Sequence, residues 1–432
     1  MLKAIGESLR ITGSAIGNEI FYARDGVRQG GSSSCFMFTF FANPLIRAIK
    51  ACGPDDWLGS LSVLMLMDDT VLFATSRQTM IRKLRKLTDY CTSHGMTINM
   101  KKSKFIAMNT RDIDPFIIEC PLATLTITRV DSYCYLGALI SDNTIRQQVQ
   151  LETRNRAVHE RKFTSFLASN RDAPYPVKLT VWRSAMLSAL TYGVESWWTN
   201  DISTVTSCYM RTVKQLLGVR LQTSNDLCLI ETGLPALVAG AVKRQRQLLA
   251  KMRKWSYFQE MPLKVALDIA HAANSPMWKY YKTKLSPESD QRDPVHVDCT
   301  LRSERVTTGD NTRAVVYRSM NPELSVHPVY LGYCGVPEYK RIALTKCRLS
   351  SHSLAVERGR WSRIPRELRT CPCDKTSVQD ECHVLCFCPL TSAYRTRYNM
   401  HPQSITDIMN LTRSDILSAS TYVHDVLSHF QE

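Results

Sequence analysis

The 432-residue sequence lacks the long apolar runs and the leader segment that mark membrane and secreted proteins. No apolar stretch approaches about 18 residues, the length at which a membrane-spanning helix is expected. We find no secretion signal and no low-complexity tract, while 44% of the residues are hydrophobic. These features predict an intracellular chain with two or three folded domains and no membrane partner.

Acidic residues are also in short supply, since 39 Asp and Glu stand against 55 Lys and Arg and give a formal net charge of +16. A solvated cationic surface is the simplest explanation, but an excess of this size favours a polyanionic partner, usually nucleic acid. The 15 cysteines are an odd number. Without a secretion signal they are predicted to be reduced thiols and metal ligands, not a disulfide framework.

The sequence predicts its chemistry around an acidic pair, Asp68 and Asp69. Apolar residues 61–67 precede the pair and residues 70–74 follow it, which predicts two strands joined by a tight turn. Two adjacent carboxylates repel each other unless a cation lies between them. Mg²⁺ suits this position because it is usually held by one or two carboxylates together with substrate phosphates. The alternative is a solvated Asp-Asp turn without a metal.

Two segments on either side of the acidic pair carry further candidate side chains. Arg28 and Gln29 lie between glycines in residues 26–30, where the backbone could approach a phosphate or a base closely. A loop that only begins the next helix is the alternative. Lys102 lies in a basic stretch after a predicted amphipathic helix. It could neutralise a phosphate leaving group, or it could be an ordinary surface lysine.

The rest of the pattern is mainly helical. A helix is predicted from Cys35 to Lys50, and a strand ending at a glycine turn over Tyr133–Gly137. Residues 286–321 are rich in Pro, Ser, Thr, Asp and Arg without clear periodicity, so they are predicted as a linker or poorly ordered loop. Further predicted helices are Val149–Ser169, Val177–Tyr192, Thr204–Leu217, Leu237–Trp255 and a closing helix near Ser414–Phe430. Trp182, Trp197 and Trp198 are predicted to be core residues and not base-stacking platforms.

A cluster of five cysteines and one histidine lies within residues 371–388. In a reducing compartment such a cluster favours tetrahedral Zn²⁺, and the preferred ligands are Cys371, Cys373, His383 and Cys388. Cys382 and Cys386 are the alternative ligands. A cysteine-rich turn without metal also stays open.

Three motifs in order resemble the palm of reverse transcriptases, most closely those of non-LTR (LINE-type) retrotransposons. They are Gly26-Val-Arg-Gln-Gly30, Leu66-Met-Asp-Asp-Thr70 and Gly95-Met-Thr-Ile-Asn-Met-Lys-Lys-Ser-Lys104. The resemblance implies that Arg28, Gln29 and Gly30 line the pocket for template and incoming nucleotide. It implies catalytic Mg²⁺ or Mn²⁺ at Asp68 and Asp69, with Lys102 near the nucleotide phosphates. Tyr135, Leu136 and Gly137 resemble the primer grip.

The fold expected from this resemblance is α+β, with an incomplete polymerase palm followed by an α-helical thumb and a small zinc-binding module. The palm would be an antiparallel sheet with packed helices in residues 1–140, and the thumb would occupy residues 141–285. Residues 286–330 would be the linker, and residues 331–432 the Cys/His module with its closing helix. The expected partners are an RNA template and a DNA primer, and the expected location is the nucleus.

The sequence departs from the family in one respect that bears on activity. The family has another metal-binding Asp several dozen residues before the Arg-Gln-Gly loop, whereas only 27 residues precede Arg28 here. Glu7, Glu19 and Asp25 do not match that motif. Two-metal phosphoryl transfer needs carboxylates from both strands. We therefore predict the C-terminal part of an RNA-directed DNA polymerase, with a catalytically inactive nucleic-acid-binding remnant or an expressed relic as the alternatives.

Overall fold

Small sheets and many helices give this chain a mixed α+β fold. The computed structural model describes residues 10–12, 20–22, 31–52, 59–108, 110, 114–119, 124–142, 144–254, 262–289, 292–309, 311–409 and 415–430. The chain divides into two compact units, one of residues 1–133 and 255–278, the other of residues 134–254 and 279–432. The predicted segments 141–285, 286–330 and 331–432 thus share one unit, apart from residues 255–278.

The first unit contains short strands and three described helices. Its strands are Arg10–Thr12, Ile20–Tyr22, Val63–Leu66, Asp69–Leu72, Lys104–Phe105, Phe116–Ile118 and Leu125–Arg129. Its helices are Ser34–Lys50, Arg77–Ser93 and Pro262–Ala272. Leu125–Arg129 is the central strand of three, parallel to Lys104–Phe105 and antiparallel to Phe116–Ile118. The expected antiparallel sheet is therefore present as separate small sheets, and one of them includes a parallel pair.

The core of the first unit forms where helix Arg77–Ser93 packs on the three-stranded sheet. Alternate residues of the antiparallel strands point to one face, and the buried set is Leu84, Phe116, Ile118, Leu125 and Ile127. Ser76 begins the helix by accepting a hydrogen bond from the Thr79 amide at 3.1 Å. Arg77, in the first turn, places its guanidinium 4.4 Å from the Phe116 ring centroid.

The second unit is mainly helical. It begins with the hairpin Ser132–Tyr135 and Ala138–Ser141, whose first strand contains the unit boundary. The helices that follow are Ile145–Ser169, Tyr175–Val181, Ser188–Leu190, Ser203–Leu217, Asn225–Thr232, Leu237–Lys254, Pro294–Thr308, Thr312–Met320, Glu338–Arg348, Ala355–Trp361, Ser392–Arg397, Ile405–Met409 and Ile416–His429. Helix Pro276–Tyr280 contains the boundary between the units, after residue 278. Single π-helical stretches occupy Trp182–Leu187, Tyr281–Leu285 and His383–Phe387.

Aromatic residues lie at the centre of this unit. Trp182, Trp197 and Trp198 are 0%, 7% and 4% exposed, which confirms that they are core residues. The Trp182 indole N–H donates to the Thr212 hydroxyl at 3.0 Å, so its polar atom is satisfied inside the core.

A buried ion pair joins distant segments of the second unit. Arg348, 1% exposed, donates to both carboxylate oxygens of Glu231 at 2.6 and 3.1 Å. The same guanidinium donates to the carbonyls of Met320 and Met409, while Tyr317 donates its hydroxyl proton to Glu231 at 2.8 Å. Removing one partner would leave an unpaired buried charge and cost about 3–5 kcal/mol.

The prediction of a structureless linker is wrong for much of residues 286–321. Helices Pro294–Thr308 and Thr312–Met320 lie in this segment, and each begins at an Asp or Asn that caps it, Asp293 and Asn311. The pattern of apolar residues does not reveal this helix, because one of its buried residues is charged. Arg302 is 2% exposed and pairs with Asp298 one turn earlier.

No single helix among the described residues is long and apolar enough to cross a membrane. Helices Asn225–Thr232 and Leu237–Met252 reach the required length and composition only together, with a bend of 59° between them. The first of the two contributes Leu227, Cys228, Leu229 and Ile230 to the buried core.

Candidate metal centres

The acidic pair lies on a tight antiparallel hairpin, Val63–Leu66 with Asp69–Leu72. Leu66 pairs with Asp69, so Met67 and Asp68 form a two-residue turn. The sequence placed both acids in the turn, whereas the structure has Asp68 in the turn and Asp69 at the start of the returning strand. Met67 has φ 55°, the left-handed conformation that turns of this length require and that non-glycine residues rarely adopt.

Two hydrogen bonds fix the end of this acidic hairpin. The Phe73 amide donates to the Ser62 carbonyl at 3.0 Å, and the Lys83 ammonium donates to the Phe73 carbonyl at 2.6 Å. Lys83 is completely buried, although it is one of several basic residues in its helix. Its stem therefore packs under the hairpin while its charge satisfies a backbone carbonyl.

The donor set of the acidic hairpin fits a magnesium ion that is shared with substrate phosphates. Asp68 and Asp69 are both exposed, and carboxylate oxygens are the ligands this hard cation prefers. Within the described residues, no further His, Cys, Asp or Glu completes a three-ligand cluster with them. The described hairpin thus presents two adjacent, exposed carboxylates.

The other residues predicted for this site are placed as follows. Lys102 belongs to the same unit and is exposed. Its amide donates to the Asn99 side-chain oxygen at 3.2 Å, and its carbonyl accepts a hydrogen bond from the Tyr133 hydroxyl at 2.8 Å. Arg28, Gln29 and Gly30 lie outside the described residues.

The predicted primer-grip residues form a second tight turn, in the other unit. Leu136 and Gly137 have φ of 49° and 78° and connect the strands that end at Tyr135 and begin at Ala138. A Cβ on Gly137 would lie 3.3 Å from the Tyr192 ring. The Tyr192 hydroxyl donates to the Leu136 carbonyl at 2.6 Å, so this aromatic residue fixes the turn.

Sequence reasoning missed the residues that hold this second turn. Glu152 accepts a hydrogen bond from the Leu139 amide and pairs with Arg156, which donates to the Tyr192 carbonyl at 2.8 Å. The spacing of Glu152 and Arg156, four residues apart in a helix, was the available signal, because such residues lie side by side. The contact between Arg156 and Tyr192, which are 36 residues apart, has no such signal in the sequence.

The four preferred zinc ligands lie together in the second unit. One donor atom from each of Cys371, Cys373, His383 and Cys388 lies within 4.8 Å of all the others. The Cys371 and Cys388 sulfurs are 3.7 Å apart, and the Cys373 sulfur is 3.2 Å from Nε2 of His383. In a tetrahedral site, Zn–S and Zn–N bonds of about 2.3 and 2.0 Å would place two sulfurs about 3.8 Å apart and a sulfur and a nitrogen about 3.5 Å apart, which is close to the separations in this cluster. This Cys/His cluster therefore fits zinc in geometry and donor type.

Electrostatics also favour a cation in the Cys/His cluster. Burial and the neighbouring sulfurs of Cys371 and Cys388 raise the pKa of the Cys373 thiol to about 12. Cysteine binds metals as the thiolate, so the three sulfurs can ionise together only when a cation compensates their charge. The alternative ligands Cys382 and Cys386 instead contact each other, and Cys386 belongs to the surrounding apolar core.

Two acidic residues that the sequence analysis did not select shape the Cys/His cluster. Asp374 accepts hydrogen bonds from the amides of Thr376 and Ser377, both at 2.9 Å, and so closes the loop after Cys373. Asp380 accepts a hydrogen bond from the His383 amide at 2.9 Å. An Asp directly after a candidate ligand, followed by Thr and Ser, is a turn signal that could have predicted the first of these.

Comparison with known proteins identifies the class of the segment that contains the acidic hairpin. Residues 3–140 match the family described as reverse transcriptase (RNA-dependent DNA polymerase). This match confirms the predicted resemblance to reverse transcriptases for that segment.

One relative of the chain is described as derived from a transposon. It is an uncharacterized transposon-derived protein of Caenorhabditis elegans, 27% identical over 172 residues. The match covers 39% of this chain and 61% of the relative. Residues 3–140 thus match the reverse transcriptase family, and the chain is similar to a transposon-derived protein.

Proposed function

We propose that this chain is the C-terminal part of a non-LTR (LINE-type) retrotransposon reverse transcriptase, with a partial palm, a thumb and a zinc module. The complete enzyme would add deoxynucleotides to the 3′-hydroxyl of a primer on an RNA template. The acidic hairpin carries the proposal, because it places Asp68 and Asp69 side by side within the segment that matches reverse transcriptases.

Each predicted site residue has a role in this proposal. Asp68 and Asp69 hold Mg²⁺ or Mn²⁺, which when bound would stabilise the charge that develops on the transferred phosphoryl group. Lys102 lies near the nucleotide phosphates, where its ammonium neutralises the leaving pyrophosphate. Arg28, Gln29 and Gly30 contact template and incoming nucleotide, and the turn of Tyr135, Leu136 and Gly137 positions the primer.

The thumb would bind the backbone of the template–primer duplex through exposed cations. Helix Leu237–Lys254 is rich in Lys and Arg, but several of these cations have partners inside their own unit. Lys243 pairs with Asp293, Arg244 with Glu195, and Arg246 donates to backbone carbonyls. Helix Ile145–Ser169 is the better candidate, because its exposed Arg154, Arg161 and Lys162 have no ion pair among the described residues.

A second function, nucleic-acid binding without polymerase activity, is favoured by one observation. In the part of the chain that the structure describes, Asp68 and Asp69 have no third metal-binding side chain beside them. The exposed cations and the Cys/His cluster would still support binding of nucleic acid, with Zn²⁺ as the structural ion.

Primer extension on an RNA template with Mg²⁺ separates the two functions. If this chain itself carries the polymerase activity, the wild-type chain extends the primer, and extension falls about 100-fold or more in Asp68→Asn and in Asp69→Asn, which keep the side-chain shape but remove the charge. Asp89→Asn is the matched control, because Asp89 is an exposed acid on a helix of the same unit. Salt-sensitive RNA binding without any extension by the wild-type chain would refute the polymerase proposal and support the binding function.

A further inference from the structure

A cleft of about 410 Å³ opens in the second unit beside the Cys/His cluster. Cys371, whose sulfur belongs to that cluster, forms part of its wall. Its polar lining includes Arg358, Lys375, Gln379 and His429. No acidic residue is among the described residues that line it. The volume lies within the range of about 300–1,000 Å³ that small-ligand sites occupy.

The two cations of this cleft differ from their basic neighbours in having no partner. Arg366 pairs with Asp380 at 2.6 Å, and Arg360 with Glu357 at 3.2 Å. Arg358 and Lys375 are exposed, and across the described ranges neither side chain makes a hydrogen bond or an ion pair. Two unpaired cations that line one cleft without an acid produce a local positive potential.

A buried amide adds a directed donor to the cleft. Gln379 is 2% exposed. Its side-chain oxygen accepts a hydrogen bond from the Ala355 amide at 2.7 Å, which fixes the orientation of the amide group. The Nε2 group has no hydrogen-bond partner within the described part of the chain. This nitrogen is not among the described side-chain atoms that are buried without a partner, so it reaches solvent and can donate to a ligand oxygen.

The other side of the cleft is apolar and aromatic. Leu390 and Phe430 line it, and the Phe430 ring lies 5.0 Å from the His429 ring, edge to face. Aromatic faces beside a positive groove are the combination by which proteins bind single-stranded nucleic acid, since the base stacks while the phosphate is neutralised.

We propose that this cleft binds a phosphodiester group of a single nucleic-acid strand. Arg358 and Lys375 neutralise the phosphate, the Gln379 amide donates to one of its oxygens, and the adjoining nucleoside contacts Phe430. The choice of nucleic acid as the ligand rests on the proposed function, while the anion site rests on the cleft itself. The Cys/His cluster would thereby position a binding site, since Cys371 fixes one wall of the cleft.

The test uses the full chain loaded with zinc and a short fluorescein-labelled single-stranded RNA, with affinity measured by anisotropy at several salt concentrations. Arg358→Gln and Lys375→Gln are each expected to weaken binding about tenfold at low salt. Each should also reduce the slope of log affinity against log salt by about 0.7, the change for one phosphate contact on a single strand. Arg363→Gln is the matched control, because Arg363 is exposed, close in sequence and outside the cleft.

Gln379→Glu provides a second variant that keeps the acceptor for the Ala355 amide. It replaces the amide donor by a carboxylate, which repels phosphate, so RNA affinity should fall at least as far as in Arg358→Gln. Zinc content and melting temperature are measured for every variant, and only variants that match the wild type in both are compared.

Binding by the Arg358 and Lys375 variants that equals binding by Arg363→Gln would overturn the cleft proposal. The proposal would also be overturned if the Arg358 and Lys375 variants lost affinity for inorganic phosphate while their RNA binding was unchanged. The cleft would then bind a free anion and not a nucleic-acid strand. A chain that binds RNA through the cleft but extends no primer would refute the polymerase function alone. If the chain extends a primer and the cleft variants bind RNA as the wild type does, only the cleft proposal would be refuted.

Discussion

At the scale of single residues, His327 is the side chain whose protonation opposes folding. It is buried beside the Glu231–Arg348 pair, and its Nδ1 accepts a hydrogen bond from the Val329 amide at 3.2 Å. Burial, and then the positive charge of Arg348, lower the pKa of His327 to about 4. The ring is therefore neutral in the folded protein at a pH where an unfolded chain would protonate it.

Acidification should consequently destabilise the protein in a defined window. Between about pH 6.5 and pH 4 the unfolded state binds the proton and the folded state does not. The free energy of unfolding therefore decreases as the pH is lowered through this range. The expected loss from this residue approaches roughly 3 kcal/mol at the acid end. Urea unfolding followed by tryptophan fluorescence at constant zinc measures it. His327→Asn, which keeps an acceptor for the Val329 amide, should show a flatter profile, and a parallel profile would contradict the assignment.

Sequence reasoning reached the candidate ligands at this scale because their signal is local. Cys371, Cys373, His383 and Cys388 recur at short spacings, and Asp68 and Asp69 are adjacent between apolar runs. Lys83, by contrast, has the spacing of a surface residue, and only the position of the Phe73 carbonyl reveals that it is buried. The role of Tyr192 depends on a contact with a turn 56 residues away, which no local pattern encodes.

At the scale of elements, the segment from Cys371 to Cys388 has little regular structure of its own. It contains one π-helical stretch, and its loop is closed by hydrogen bonds to Asp374. Such a segment would gain further order from a bound ion, because binding a metal to ligands from one segment couples metal affinity to folding.

The ligand set can be tested by metal content. The full chain should bind about one zinc ion at the Cys/His cluster, and Cys373→Ser or His383→Asn should lose most of it and lower the melting temperature. Cys382→Ser is the matched control, since its sulfur contacts Cys386 and is not in the cluster. Zinc measured by elemental analysis after dialysis decides the matter. Loss in Cys382→Ser with retention in Cys373→Ser would exclude the proposed ligands.

Element prediction succeeded where periodicity was strong and failed where charged residues are buried. Helix Ser203–Leu217 begins one residue before the predicted Thr204, and its buried residues follow the apolar stripe. Pro294–Thr308 was missed because Arg302 occupies a core position, with the half-buried Asp298 as its partner. A buried arginine looks like a surface residue in the sequence, so apolar patterning alone assigns its segment to a loop.

At the scale of the whole molecule, the net charge of +16 should dominate association with nucleic acid. We expect the affinity for single-stranded RNA to fall by about 1,000-fold or more between 50 and 200 mM salt if several phosphates are contacted, because bound counterions are released on binding. A peptide nucleic acid of the same sequence, which has no phosphates, should bind negligibly. Electrophoretic mobility shifts at graded salt measure both. Equal binding of the two would contradict an electrostatic mode.

The contacts of Arg348 have a consequence for how this protein can be divided. Its guanidinium joins residues 231, 320 and 409 to its own helix, so any cut between residues 232 and 408 separates it from at least one of them. We therefore expect that the cysteine-rich segment cannot be transferred to another protein or expressed in isolation as an independently folding unit. Recombination that shuffled it between genes would have to carry the preceding helices along.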